Sequence, residues 1–76
     1  MYLYLIARTD EVRPGEVRSV VVAAPTAAMA RQTAREYGPG GQPPEVWAPD
    51  KATLTRLGTA DRRVKAGVIL MDLKSA

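Results

Sequence analysis

From Tyr2 to Arg8 the chain alternates so that Tyr2, Tyr4 and Ile6 face one way and Leu3, Leu5 and Ala7 the other, and both sides are apolar. Such a strand belongs inside a sheet whose two faces are covered, by helices or by another subunit. Thr9 to Glu16 is polar and contains Pro14-Gly15, where proline presets φ for a turn and glycine accepts the positive φ that follows. The pattern predicts a hairpin into a second strand, Val17 to Ala24. That strand is rich in β-branched residues, with Val20, Val22 and Ala24 on one side and Val17, Ser19, Val21 and Ala23 on the other.

Pro25-Thr26 ends the strand, and the Thr26 hydroxyl suits an N-cap. A helix is predicted from there to about Tyr37. Met29, Ala30, Thr33, Ala34 and Tyr37 form its apolar stripe, while Arg31, Gln32, Arg35 and Glu36 lie on the wet side. Gly38 fits the left-handed position after a helix, and Pro39 forbids continuation. Gly38 to Pro49 holds three Gly and four Pro around Trp47 and reads as a loop, part of a Pro/Gly-rich region spanning 38–51. Ala52 to Thr59 reads as a third strand of edge character, and Val68 to Leu73 as a fourth, apolar on both sides. The fold class predicted is α+β: one domain over residues 1–76, ordered ββαββ, with one antiparallel four-stranded sheet and a single helix on one face.

Four strands have two sides, and a helix of about three turns, ~17 Å long, covers one of them. An uncovered apolar side on a small monomer marks an interaction surface. The expectation is therefore a homo-oligomer, a dimer or higher, whose interface includes Tyr4, Val20, Val22, Ile69 and Met71. Length points the same way. A chain of 76 residues buries a small fraction of its surface, and with no Cys and no His neither disulfides nor ordinary zinc sites can staple it.

The absence of His and Cys also removes the usual nucleophile–base pairs and the side chain that titrates near neutrality. The remaining carboxylate pairings, Asp10 with Glu11 and Asp50 with Asp61, lack the ligand density of a calcium loop, and Asp72 stands on a strand. No catalytic residue, metal or cofactor is expected, and the chain reads as a binder. The apolar start, Met1 to Ala7, is too short for a signal-peptide core or a membrane span, so a cytoplasmic protein with no membrane partner is expected.

Eleven Lys plus Arg against eight Asp plus Glu give a net charge of +3, a mild excess that allows nucleic-acid binding without favouring it. The candidate ligand-binding cations are Arg56, Arg62, Arg63 and Lys65 at a basic corner before the last strand, with Arg31 and Arg35 four residues apart on the helix. Arginine's planar fork matches phosphate and carboxylate. The plainer reading of the corner is a solvated turn with Asp61 as counterion. Trp47 could stack on a base or, more plainly, pin its own loop onto the core. Gly38-Pro39-Gly40-Gly41 lacks the Gly-Lys-Ser/Thr of a phosphate loop and reads as a helix stop and linker.

The opening Tyr2-Leu3 tract running into Thr9-Asp10, the Ser19–Ala24 strand before an Ala/Arg helix, and Leu57-Gly58-Thr59-Ala60-Asp61 followed by Gly67-Val68-Ile69-Leu70 together resemble small phage and prophage proteins of actinobacteria. The resemblance implies a phage accessory protein acting in a bacterial host. That class includes anti-CRISPR inhibitors, which bind a host protein complex, and sponges, which sequester nucleotide second messengers. The leading expectation is sequestration of an anionic, nucleotide-like ligand at a subunit interface. Inhibition of a host protein complex and nucleic-acid binding stand as alternatives.

Overall fold

Strand β1 (Tyr2–Arg8) pairs antiparallel with β2 (Val17–Ala24), in register from Tyr2 opposite Ala24 to Ala7 opposite Ser19. The structure is a computed structural model that describes residues 1–38 and 43–74. β3 (Ala52–Thr59) adds to the outer side of β1 and β4 (Gly67–Leu73) to the outer side of β2, both antiparallel, giving the order β3-β1-β2-β4. One α-helix, α1 (Ala27–Tyr37), packs on one side of this sheet, which is the predicted ββαββ arrangement. Among the described residues no helix is long and apolar enough to cross a membrane.

The β1–β2 turn is held from inside by an arginine. Gly15 takes φ 88°, as the Pro-Gly pair required. The Arg8 side chain, only 3% exposed, donates from Nε and Nη2 to the two Asp10 carboxylate oxygens at 2.9 and 2.8 Å. It also reaches the carbonyls of Val17 and Glu11 at 3.3 Å. Hydrogen bonding from Arg8 holds the Asp10 carboxyl below its ordinary value, and the same contact raises the Arg8 guanidinium. Asp10 thus ties the turn to β1 through Arg8.

The core lies between sheet and helix. Tyr4 opposite Val22, and Ile6 opposite Val20, direct these four side chains to the α1 side, where they pack with Val17, Ala24, Ala30, Ala34, Trp47 and Ala52. This corrects the interface expected from the sequence. Tyr4, Val20 and Val22 are buried beneath α1 within one chain, and no partner can reach them without opening the core. Alternation divides a strand into two sides; it does not say which side the helix will take.

Thr26 caps α1 as predicted, its hydroxyl accepting from the Met29 N–H at 3.2 Å, and Gly38 adopts the left-handed conformation at φ 60°. The buried stripe is narrower than expected. Ala30 and Ala34 face the sheet, while Met29 and Tyr37 remain exposed. The second half of the cover comes from the Pro/Gly-rich region, which forms a 3₁₀ helix at Pro44–Trp47 and inserts Trp47 beside α1 over β1. Pro44–Trp47 is therefore regular where a loop was predicted, since Pro44 stands at the start of the 3₁₀ helix, where its missing N–H costs nothing. Arg31, assigned to the wet side, turns inward and donates from Nη1 to the carbonyls of Trp47 at 3.2 Å and Ala52 at 2.9 Å.

Candidate functional site

The structure brings Arg56, Arg62, Arg63 and Lys65 to one end of the sheet, as the basic corner required, and leaves Arg31 and Arg35 apart from them. Thr59 pairs with Tyr2 and Gly67 with Ala23, so the connection between β3 and β4 crosses the end of the sheet where β1 begins and α1 starts. Ala60 is held there by its N–H donating to the Met1 carbonyl at 3.0 Å. Arg62, Arg63 and Lys65 ride on this crossing, and Arg56 lies near the same end with its guanidinium carbon 4.9 Å from the centre of the Tyr2 ring. Arg35 sits in the last turn of α1, toward the opposite end, since 11 helical residues at ~1.5 Å each carry the chain back along the sheet.

Several of these groups are already committed. Arg31 is tied to the Trp47 and Ala52 carbonyls. Arg63 donates from Nε to the Asp61 carboxylate at 3.1 Å, and its backbone N–H donates to the same oxygen at 2.8 Å. Hydrogen bonding from the Arg63 side chain lowers the Asp61 pKa in this exposed pair. The plainer reading, a solvated turn with Asp61 as counterion, describes Arg63. Arg35, Arg62 and Lys65 are exposed. A hollow of about 470 Å³ between Gln32, Arg35, Glu36 and Pro44 carries the Glu36 carboxylate in its wall, which opposes an anion.

Trp47 is fully buried, so its ring has no free face for a ligand. Its indole N–H finds no acceptor among the described residues. The loop-pinning reading is the one the geometry shows. Pro39, Gly40, Gly41 and Gln42, and with them most of the glycine-rich stretch, lie outside the described residues. Among the described residues no group of three His, Cys, Asp or Glu side chains could hold a metal ion.

The other surface is the side of the sheet away from α1. The register places Leu3, Leu5 and Ala7 of β1 beside Ala23, Val21 and Ser19 of β2, with Leu70 and Asp72 of β4 beyond. Leu3, Leu5, Ala7 and Val21 are half-buried by their neighbours in the sheet, and Leu70 is exposed. Leu5, Ser19, Val20, Val21, Leu70 and Asp72 line a cleft of about 110 Å³. Thr53 and Thr55 of β3 form a polar rim on one flank. On the other, Arg18 donates from Nε to the Asp72 carboxylate at 2.8 Å.

No known family, curated protein or solved structure matches this chain. The surfaces themselves carry the functional reading.

Of the residues singled out from the sequence, Ile69 and Met71 are exposed on β4, while Tyr4, Val20, Val22 and Trp47 are internal. Sequence reasoning passed over Leu5 and Val21 as a working pair. The available signal was the alternation of β1 and β2 read jointly, since one side of both strands had to stay bare under a single helix. It also missed Arg8 as the hairpin's anchor, for which Arg8-Thr9-Asp10 was the only local hint.

Proposed function

We propose that this chain is a non-enzymatic binding protein that works through the bare side of its sheet, and that its partner is a protein. The observation that supports this reading is the asymmetry of cover. α1 and the 3₁₀ helix pack on one side, while Leu3, Leu5, Val21 and Leu70 form a continuous apolar strip on the other. An apolar centre with a rim of Thr53, Thr55 and the Arg18–Asp72 pair has the anatomy of a protein interface: aliphatic contact in the middle and orienting hydrogen bonds at the edge. In the setting implied by the resemblance to phage accessory proteins, such a surface suits an inhibitor of a host protein complex.

Sequestration of a nucleotide-like ligand has less support. Its stacking residue, Trp47, is sealed in the core, and its cations divide between two ends of the sheet. What remains for that reading is Arg56, Arg62 and Lys65, exposed at one end.

The test compares Leu5→Lys and Val21→Lys with a double variant, Arg62→Ala with Lys65→Ala, all checked for native circular dichroism. Capture from host extract should recover the same protein with the wild type and the cation variant, and lose it with the sheet variants. Melting temperature should not move with cyclic or linear nucleotides. A nucleotide that raises the melting temperature in the wild type, with the rise abolished in the cation variant, would overturn the protein-binding reading in favour of sequestration.

A further inference from the structure

We infer that β4 is a dimerisation edge. Two copies pair antiparallel along β4 about a two-fold axis, joining their sheets into one of eight strands. This goes beyond the proposed function, because it rests on the edge of the sheet and the flank of the helix rather than on the bare side.

The two edges of the sheet differ. Both present a row of backbone N–H and C=O groups without a neighbouring strand, a template for pairing that proteins usually blunt with charge or polar residues. Each edge carries one bulge, at Leu57 in β3 and at Ile69 in β4, so the side chains make the distinction. β3 exposes one large apolar side chain, Leu57 at 54%, and is otherwise blunted by Thr53, Thr55, Arg56 and Thr59. β4 leaves Ile69, Leu70, Met71 and Leu73 exposed at 51, 63, 41 and 57%. The only charge between Gly67 and Leu73 is Asp72, which its own chain neutralises through Arg18.

The helix supplies a second surface beside this edge. α1 rests on Ala30 and Ala34 and directs Arg31 toward the 3₁₀ helix. At 100° per residue Met29 and Tyr37 then fall on the opposite flank, the side from which α1 reaches β4, where they are 50 and 58% exposed. A strand added to β4 would therefore gain main-chain hydrogen bonds at the edge and apolar contact beneath that flank.

Charge and area identify the occupant as a second copy. Antiparallel self-pairing centred on Leu70 sets Leu70 against its own copy with apolar residues on either side of it, and Asp72 falls opposite the partner's Val68. Ile69 then faces the partner's Met71. No like charges meet in that register, and Asp72 is paired with Arg18 within each chain. The six half-exposed residues together present on the order of 550 Å² per chain, taking roughly 150–200 Å² for a large apolar side chain. Complete cover of these residues in a symmetric pair would bury about 1,100 Å², which clears the roughly 1,000 Å² minimum for a biological interface. The two-fold also places both bare sides on one continuous face.

The experiment is sedimentation of the full chain across the micromolar range, for the wild type, the double variant Ile69→Lys with Met71→Lys, and Leu5→Lys as the bare-side control. Hydrogen exchange of the β4 amides is read in parallel. The wild type and Leu5→Lys should run at twice the chain mass, with the β4 amides that point away from β2 protected. The edge variant should fall to the chain mass and lose that protection, while its β1 and β2 amides keep theirs and so report a folded sheet. Four outcomes would overturn the inference: a wild type monomeric throughout the range, a dimer broken by Leu5→Lys but not at the edge, an edge variant that remains dimeric, or β4 amides that exchange freely in a wild-type dimer. Loss of protein capture with Leu5→Lys, in a dimer that stays intact, separates the bare-side reading from this one.

Discussion

Removing the indole of Trp47 should cost this protein a large share of its stability. Trp47 is fully buried and completes the cover over β1 that α1 alone does not provide. Truncating a buried aromatic to alanine costs about 3–5 kcal/mol in lost transfer energy and residual cavity. A domain of 76 residues has on the order of 4–11 kcal/mol in total. Trp47→Ala should therefore lower the melting temperature by roughly 12–40 °C, at about 4–8 °C per kcal/mol for a domain of this size. Trp47→Phe should cost far less. It keeps an aromatic ring in the slot, and the N–H it removes makes no hydrogen bond to the described residues. Urea unfolding followed by far-ultraviolet circular dichroism gives the free energies for all three proteins. In the wild type, the single tryptophan should also emit toward the blue and resist acrylamide quenching. A Trp47→Ala cost below about 1 kcal/mol, on the scale of an ordinary surface change, together with a readily quenched indole, would refute the lid and return Trp47 to the candidates for ligand stacking.

Three other expectations follow from single contacts. Arg31→Met removes the charged donor shared by the Trp47 and Ala52 carbonyls and should cost about 1.5–3 kcal/mol by urea unfolding, whereas an Arg31 that only bound ligand would leave stability unchanged. Thr26→Ala deletes the N-cap bond to Met29 and should cost about 1 kcal/mol, with Thr26→Ser close to wild type in the same melts. Arg8 depresses the Asp10 pKa in the folded state, so Asp10 contributes stability that is fully present above its unfolded value of about 3.9 and is lost as pH falls through the lower folded value. Asp10→Asn should therefore lower stability at neutral pH and flatten its fall below about pH 4; an unchanged acid limb would sever Asp10 from the hairpin.

How much of this was legible in the chain depends on the range of the interaction involved. The strands β1, β2 and β3, the Pro14-Gly15 turn, the Thr26 cap and the Gly38 stop follow from neighbours a few residues apart, and each stands where the pattern placed it. Period-two alternation, proline's fixed φ and glycine's tolerance of positive φ are local properties of the backbone. The imbalance between two-sided strands and one short helix is equally readable from the sequence, and it alone implies an uncovered side.

What tertiary structure decided is which side that is, and what became of the residues placed on it. Alternation is symmetric about the plane of the sheet, so Val20 and Val22 were as open to one side as to the other until Ala30 and Ala34 settled against them. Trp47 became a lid and Arg31 a clamp through contacts reaching 16 and 21 residues along the chain, where no local pattern runs. β4, apolar on both sides like an interior strand, was left at the edge. The β1–β2 hairpin had taken the centre, and the return from α1 put β3 beside β1, so only the outer side of β2 remained. Strand order is settled by chain closure over the whole domain, and it is strand order, rather than composition, that turns an ordinary apolar segment into an exposed one.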